Sequence, residues 1–484
     1  MGAENVIIEK NFINGAWEES GGEKIAVINP VTEKPIGHIC EASARDVDRA
    51  VEAANAAFAA WSALTGAERA GFMRKMTAVI RDHLDDLVAL QKLNCGKPPV
   101  EAEADIIGSI ECIDYFAGQA EALDARRQSA VDYDIPGMSS VTRLEPMGSA
   151  GFILPWNFPM KICAWKLGPA LAAGCTVVIK PSEIAPFTDT FWGVAATEAG
   201  LPPGVLNVVN GRGAITGAAL AENEELRKIA FTGSTRTGKA VMKAATNGVK
   251  NIGLELGGKS PIVVFEDADL DLAARLAAEG VFYNSGQCCN ATCRLLVQDS
   301  IKEALAEKLL EVFDGVVLGA PDTPGVTMGP LASQAQYDKV TGYMDIAREE
   351  GLNCRIGGGP AAQFNSGYFV EPTLYTDVPK PSRLWHEEIF GPVLCLRSFA
   401  DEAEAVREAN DTEYGLAATI VTEDEDQAAR VAAQLEAGHV YTNTSVAIPP
   451  QTSWGGFKQS GIGRELGPWG LAGFLEVKTV TSRG

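Results

Sequence analysis

Histidine is scarce: the 484 residues hold only His38, His83, His386 and His439. None lies near the closely spaced cysteines at 288, 289 and 293, which disfavours a zinc site and a Cys–His hydrolase alike. Basic charge is also short, with 41 Lys and Arg against 63 Asp and Glu and a formal net charge of −22. With no concentrated basic patch, such a surface repels nucleic-acid backbones and anionic lipid headgroups. Long apolar runs are missing as well. The longest, such as Pro261-Ile262-Val263-Val264-Phe265, have strand length and fall well short of the roughly 20 residues a membrane helix needs. The start, MGAENVIIEK, has no cationic segment followed by an apolar stretch, and Val6 breaks the myristoylation pattern. The ten cysteines lack the dense, even spacing of a disulfide scaffold. A cytoplasmic protein is expected.

The composition is that of a globular chain, with 46% hydrophobic and 7% aromatic residues and a length for two to four domains of the usual roughly 100–200 residues. Amphipathic helical stretches alternate with short β-rich runs. Residues 44–65 place Val47, Ala50, Val51, Ala54 and Phe58 at helical spacing opposite Arg45, Asp46, Asp48 and Glu52. Strand-like runs follow at 176–179, 205–209, 228–231 and 262–265, and a second series includes 295–297, 391–396 and 417–421. The pattern predicts an α/β protein with two doubly wound lobes that meet near 255–261. Residues 129–146 read as turn-rich and 474–480 as a strand. In open parallel sheets ligands bind beyond the carboxyl ends of the strands.

Two glycine-rich stretches fall at such ends but miss the strict phosphate-binding patterns. Gly211 to Gly217 is one residue too long for GxGxxG, and the stretch from Gly233 to Lys239 is followed by Ala240 where a P-loop needs Ser or Thr. Each is either a simple turn or a cradle that aims backbone N–H groups at a phosphate. The segment 282–294 carries the three close cysteines, which are either buried structural thiols or include a nucleophile. With imidazole in short supply, a thiolate would work with a carboxylate base. Glu255, between Leu254 and Leu256 and just before Gly257-Gly258, is such a carboxylate if it is desolvated, and a solvated surface group otherwise.

Seven segments in order resemble the NAD(P)-dependent aldehyde dehydrogenase superfamily across essentially the whole chain. They are Pro155-Trp156-Asn157-Phe158-Pro159, Lys180-Pro181-Ser182-Glu183, Phe231-Thr232-Gly233-Ser234-Thr235, Glu255-Leu256-Gly257-Gly258-Lys259, Gly286-Gln287-Cys288-Cys289, Glu387-Glu388-Ile389-Phe390-Gly391-Pro392 and Gly461-Ile462-Gly463-Arg464-Glu465. The resemblance implies an aldehyde dehydrogenase-like fold. Residues 1–125 and 147–254 would form a variant Rossmann lobe for NAD, 255–467 a catalytic lobe, and 126–146 with 468–484 a β oligomerisation arm of a homodimer or dimer of dimers. It further implies that Cys289 is the nucleophile, that Asn157 and the Cys289 backbone N–H hold the oxyanion, and that Glu255 activates the water that hydrolyses a thioester. Lys166 and Glu465 match a proton relay, against which an ordinary ion pair is the plain alternative.

For the cofactor, the resemblance assigns Lys180 and Glu183 to the adenosine ribose, with Glu183 favouring NAD over NADP by repelling a 2′-phosphate. It places Leu154, Trp156, Ser182 and Leu256 along the same channel, Gly211 near the adenine, Gly233 and Ser234 at the pyrophosphate, Glu388 at the nicotinamide ribose and Phe390 at the ring. Tyr115-Phe116-Ala117-Gly118-Gln119 and Trp454-Gly455-Gly456 are most similar to betaine-aldehyde and ω-aminoaldehyde dehydrogenases. Phe158, Trp165, Tyr283 and Trp454 then match an aromatic box for an ammonium group, with Glu101 and Asp105 as acidic residues of the channel mouth and Gly108 where a third would stand. A hydrophobic tunnel for uncharged aldehydes is the alternative. Interception of the thioester by coenzyme A is disfavoured by Glu255, and a non-catalytic, crystallin-like role by the retention of Cys289, Glu255 and Asn157. No metal is expected.

Overall fold

The computed structural model describes residues 7–444 and 447–483. The helix Ala44–Ser62 shows how the sequence pattern becomes packing. Ser43 and Asp46 close a reciprocal capping box, while Val47, Ala50, Val51 and Ala54 are buried against the first sheet's core. Such a cap contributes about 1 kcal/mol, and each fully buried valine roughly 1.5–3 kcal/mol.

The first sheet has eight strands in the order Gly461–Ile462, Asn251–Glu255, Lys228–Thr232, Ser149–Ile153, Thr176–Lys180, Leu206–Val208, Asn11–Ile13 and Ala16–Glu18. The five from Asn251–Glu255 to Leu206–Val208 run parallel. Three of these, Ser149–Ile153, Thr176–Lys180 and Lys228–Thr232, are buried at every residue. That explains why they read as continuous apolar runs rather than alternating ones. The second sheet has seven strands: Asn353–Ile356, Thr373–Thr376, Val393–Phe399, Arg294–Gln298, Pro261–Val264, Ala417–Val421 and His439–Thr442. All but its antiparallel edge Asn353–Ile356 are parallel.

The chain leaves the first sheet at Glu255 and enters the second at Pro261, where the sequence placed the change of lobe. It later returns. Gly461–Ile462 pairs antiparallel with Leu254 and Glu255, so a short piece of the expected catalytic lobe is an edge of the first sheet.

The stretch read as turn-rich resolves into two strands, Gln128–Val131 and Met138–Pro146, because its breakers Pro136 and Gly137 are confined to the bend. Leu475–Arg483 pairs with Met138–Pro146 over nine residues, completing a three-stranded sheet whose Val477 and Val480 side chains are exposed. Among the described residues, no helix is long and apolar enough to cross a membrane.

Candidate active site

Glu255 ends its strand between the two sheets and is buried, at 2% exposure. Its Oε1 accepts the Trp454 indole N–H at 3.2 Å, while Oε2 has no hydrogen-bond partner among the described residues. Burial, reinforced by the nearby Glu465 carboxylate, pushes its pKa up to about 8; Lys166, the Trp454 N–H and the facing Cys289 thiol oppose that rise. A carboxyl group in this range can take and return a proton near neutrality.

Cys289 follows the turn Tyr283–Gly286, where Asn284 and Ser285 adopt left-handed φ values of 50° and 56°. A lattice of amides supports this strained conformation. Asn284 Nδ2 donates to the Asn157 carbonyl at 2.9 Å, Asn157 Nδ2 donates to the Gln287 carbonyl at 2.9 Å, and Gln287 Nε2 donates to the Asn284 carbonyl at 2.9 Å. An amide nitrogen has two protons, so Asn157 keeps one for another acceptor. Burial raises the Cys289 thiol well above its ordinary pKa, and Glu255 and Cys288 raise it further. Cys288 is turned away, its thiol donating to the Tyr283 carbonyl at 3.3 Å. Of the two adjacent cysteines, only Cys289 lines the cavity of about 160 Å³ that also contains Asn157, Glu255, Leu256, Glu388 and Phe390.

Behind Glu255 lies a second cavity, of about 400 Å³, with Lys166 and Glu465 in its wall. Lys166 Nζ donates to Glu465 Oε1 and to Thr232 Oγ1, each at 2.6 Å.

A third cavity, of about 520 Å³, takes in Leu154, Lys180, Ser182 and Glu183. It shares Pro155, Trp156, Thr232, Gly233 and Ser234 with the Cys289 cavity, so the two form one continuous trough. Lys180 and Glu183 pair at 3.0 Å, and Glu183 Oε1 also accepts the Gly213 N–H at 3.1 Å. Burial lowers the Lys180 pKa. For Glu183, burial pushes upward, but Lys180 and the backbone donors outweigh it and hold the carboxyl low. Ser234 caps the helix Thr235–Ala244, whose N-terminal turn opens on this trough at Thr237. Glu388 Oε1 accepts the Gly258 N–H at 2.9 Å; burial raises its pKa, and the nearby Lys339 ammonium opposes the shift. Phe390, itself at φ 64°, meets Trp156 edge-on at 5.5 Å.

Gly211 differs from expectation. It does not line the trough, where Gly213 and Gly217 stand instead. Its φ of +145° and the Thr216 hydroxyl packed where a Cβ would project make it a turn glycine.

The aromatic residues form two pairs. Phe158 stacks on Tyr283 at 6.0 Å, and Trp165 meets Trp454 edge-on at 6.0 Å; Phe158, Trp165, Trp454 and Cys289 share one apolar cluster. Of the two acidic residues expected at the channel mouth, Glu101 lines a cavity of about 480 Å³ with Tyr283, and Asp105 lies deeper. Asp105 is fully buried, paired with Lys97 and, at 3.4 Å, with Lys161, because it sits on the inner face of the helix Pro99–Arg126. Glu101 is also buried and accepts the Asn284 N–H at 3.0 Å; burial pushes its pKa up to about 8.

The sequence profile of the aldehyde dehydrogenase family matches residues 17–480. The chain belongs to the aldehyde dehydrogenase family. It is 43% identical to the chloroplastic betaine aldehyde dehydrogenase of Beta vulgaris, covering 97% of this chain and 95% of that one. It is also 43% identical to aminoaldehyde dehydrogenase 2 of Zea mays, covering 97% and 94%. The crystal structure of Staphylococcus aureus betaine aldehyde dehydrogenase in complex with NAD⁺ superimposes with a TM-score of 0.96, at 37% identity, covering 99% of this chain and 97% of that one.

Several residues of this aldehyde dehydrogenase site went unread in the sequence. Asp189, fully buried, accepts the backbone N–H of Met160 at 2.8 Å and so supports the left-handed turn (φ 66°) that precedes Lys161. Gln336 donates to the Phe390 carbonyl at 2.7 Å. Lys97 holds its ammonium 4.0 Å from the centre of the Phe158 ring. Lys161 carried the one available signal, a lone charge in the apolar stretch 158–165.

Proposed function

We propose that this aldehyde dehydrogenase uses NAD⁺ to oxidise a short cationic aldehyde, of the betaine aldehyde or ω-aminoaldehyde type, to its carboxylic acid. The observation that carries the chemistry is Cys289 facing a buried Glu255 carboxylate that has an unpartnered oxygen. The substrate class rests on the names of the relatives and on the two aromatic pairs, three of whose rings share an apolar cluster with Cys289.

The Cys289 thiol passes its proton toward Glu255, and its sulfur adds to the aldehyde carbonyl. The oxygen of the resulting thiohemiacetal is held by the remaining Asn157 Nδ2 proton and the Cys289 backbone N–H. When bound, NAD⁺ would supply the two-electron acceptor that leaves Cys289 as a thioester. Glu255, having passed on the thiol proton, then takes one from water as that water attacks the thioester; the C–S bond breaks, releasing the carboxylic acid and restoring the Cys289 thiolate. Glu255 can relay its proton through the Lys166–Glu465 pair that shares its rear cavity.

The trough fits such a cofactor: Glu183 would accept from the adenosine ribose beside Lys180, the N-terminus of Thr235–Ala244 would face the pyrophosphate, and Glu388 would accept from the second ribose. A Cβ at Gly233 would meet the Phe231 ring at 2.5 Å, so only glycine keeps that wall open. The three-stranded arm, with apolar side chains on its exposed strand Leu475–Arg483, is an interface for a homodimer or dimer of dimers.

A second reading, a tunnel for uncharged aldehydes, is favoured by Lys97, which already places a cation on Phe158. A panel of NAD⁺-dependent rates decides between them: betaine aldehyde, 3-aminopropanal, 4-aminobutanal, hexanal and benzaldehyde. The cationic reading requires the first three to lead in kcat/KM and Trp454→Ala to erase that lead. If uncharged aldehydes lead and Trp454→Ala leaves the ranking alone, the second reading holds.

A further inference from the structure

Beside the aromatic pairs, a single carboxylate serves two ammonium groups. Asp105 Oδ2 contacts Lys97 Nζ and accepts from Gln91 Nε2 at 3.1 Å, while Oδ1 faces Lys161 Nζ at 3.4 Å. Both lysines also lie near the Phe158 ring, with Nζ 4.0 Å from its centre for Lys97 and 5.6 Å for Lys161. A ring face and a carboxylate together are the elements that recognise an ammonium group. Here the protein's own side chains fill that role.

Glycine at 108 gives Lys161 room: a Cβ there would lie 3.3 Å from Lys161 Cε, so the side chain would have to shift slightly. Its side chain keeps 22% exposure, whereas Lys97 and Asp105 are enclosed. Glu101, the remaining acid of this cluster, holds its proton below about pH 8 because it is buried. The cluster thus sets two lysines against Asp105, with burial favouring the neutral form of Glu101.

We propose that Lys161 is a specificity-determining residue that handicaps permanently cationic aldehydes, because its ammonium, with that of Lys97, already holds the cation position made by Phe158 and Asp105. The inference rests on the proposed function, in which a cationic aldehyde is taken up at the aromatic pairs that include Phe158. Lys161 leaves uncharged aldehydes of the same shape unopposed and so narrows the preference for cationic ones.

The test compares betaine aldehyde with 3,3-dimethylbutanal, which replaces the quaternary nitrogen by carbon and keeps the shape. In Lys161→Met, and in Lys161→Gln should the first variant fold poorly, the ratio of kcat/KM for betaine aldehyde over 3,3-dimethylbutanal should rise by about ten-fold. That is the scale for removing one like charge at several ångströms in a partly buried site. Lys161→Arg, which keeps the charge, should leave the ratio where it is. A purely structural role would move both substrates together. An active Met or Gln variant whose ratio stays within about two-fold of the parent overturns the role of Lys161 alone. If the parent protein oxidises neither aldehyde, the proposed function fails and this inference fails with it.

Discussion

The two ends of the trough handle buried charge in opposite ways. At the Lys180–Glu183 end, the ammonium and the carboxylate pair with each other, a backbone N–H completes the carboxylate, and the Glu183 pKa moves down. At the Cys289 end, Glu255 and Glu465 each keep an oxygen without a partner among the described residues, the Cys289 thiol and Glu255 carboxyl pKa values move up, and Asn284, Ser285 and Phe390 sit at strained φ values. A group meant to hold a ligand can be satisfied in advance. A group meant to exchange protons cannot be, since full satisfaction would fix its protonation state.

Substitutions at the two ends should therefore behave differently. The largest effect is expected from Cys289→Ala, which should abolish NADH formation from every aldehyde while leaving the protein folded; residual turnover in a stopped-flow absorbance assay would remove Cys289 from the nucleophile's role.

Glu255→Gln should lower kcat by roughly two to four orders of magnitude and yet stabilise the fold. The parent's kcat should rise with pH through about 8, as Glu255 loses its proton. For stability the sign is reversed. Between the ordinary carboxyl value of 4.5 and about 8, the folded Glu255 holds a proton that the unfolded chain has released, so this group lowers stability as pH rises through that window. Denaturant titrations across this range should show a flatter pH dependence in Glu255→Gln and greater stability at its alkaline end, by a few kcal/mol. If the variant is less stable than the parent at pH 8, the contrast between the two ends is wrong.

Glu183→Ala is the milder counterpart. Removing its charge should raise the ratio of NADP⁺ to NAD⁺ efficiency on the order of ten-fold. It should also destabilise the fold, by about 1–2 kcal/mol, because enclosed Lys180 loses its partner while the exposed side of Glu183 limits the loss. Equal efficiency ratios in parent and variant would show that this carboxylate does not read the ribose.

What could be read in the sequence followed the range of the interactions. Glu255 and the Lys180–Glu183 pair sit at or just past strand ends and Cys289 just after a turn, in short segments that carry the family resemblance. The change of lobe was visible because apolar strands and breakers alternate around residues 255–261. The Lys97–Asp105–Lys161 cluster was not visible: it joins a loop, a long helix and the start of the helix Lys161–Ala173, and Asp105 read as a mouth residue because its burial depends on what packs over that helix. Gly211 was misplaced for a related reason. Sequence shows that a turn is required but not which glycine of the stretch faces open space.

The short strand Gly461–Ile462 has a mechanical consequence. Its pairing with Leu254 and Glu255, the Leu256 N–H bond to the Ser460 carbonyl at 2.8 Å and the Ser460 hydroxyl bond to the Gly257 carbonyl at 2.7 Å rivet the two lobes at Glu255 itself. A clamshell motion about this joint would have to shear backbone hydrogen bonds at every turnover. A dinucleotide entering the proposed trough would meet two walls already tied together by backbone hydrogen bonds.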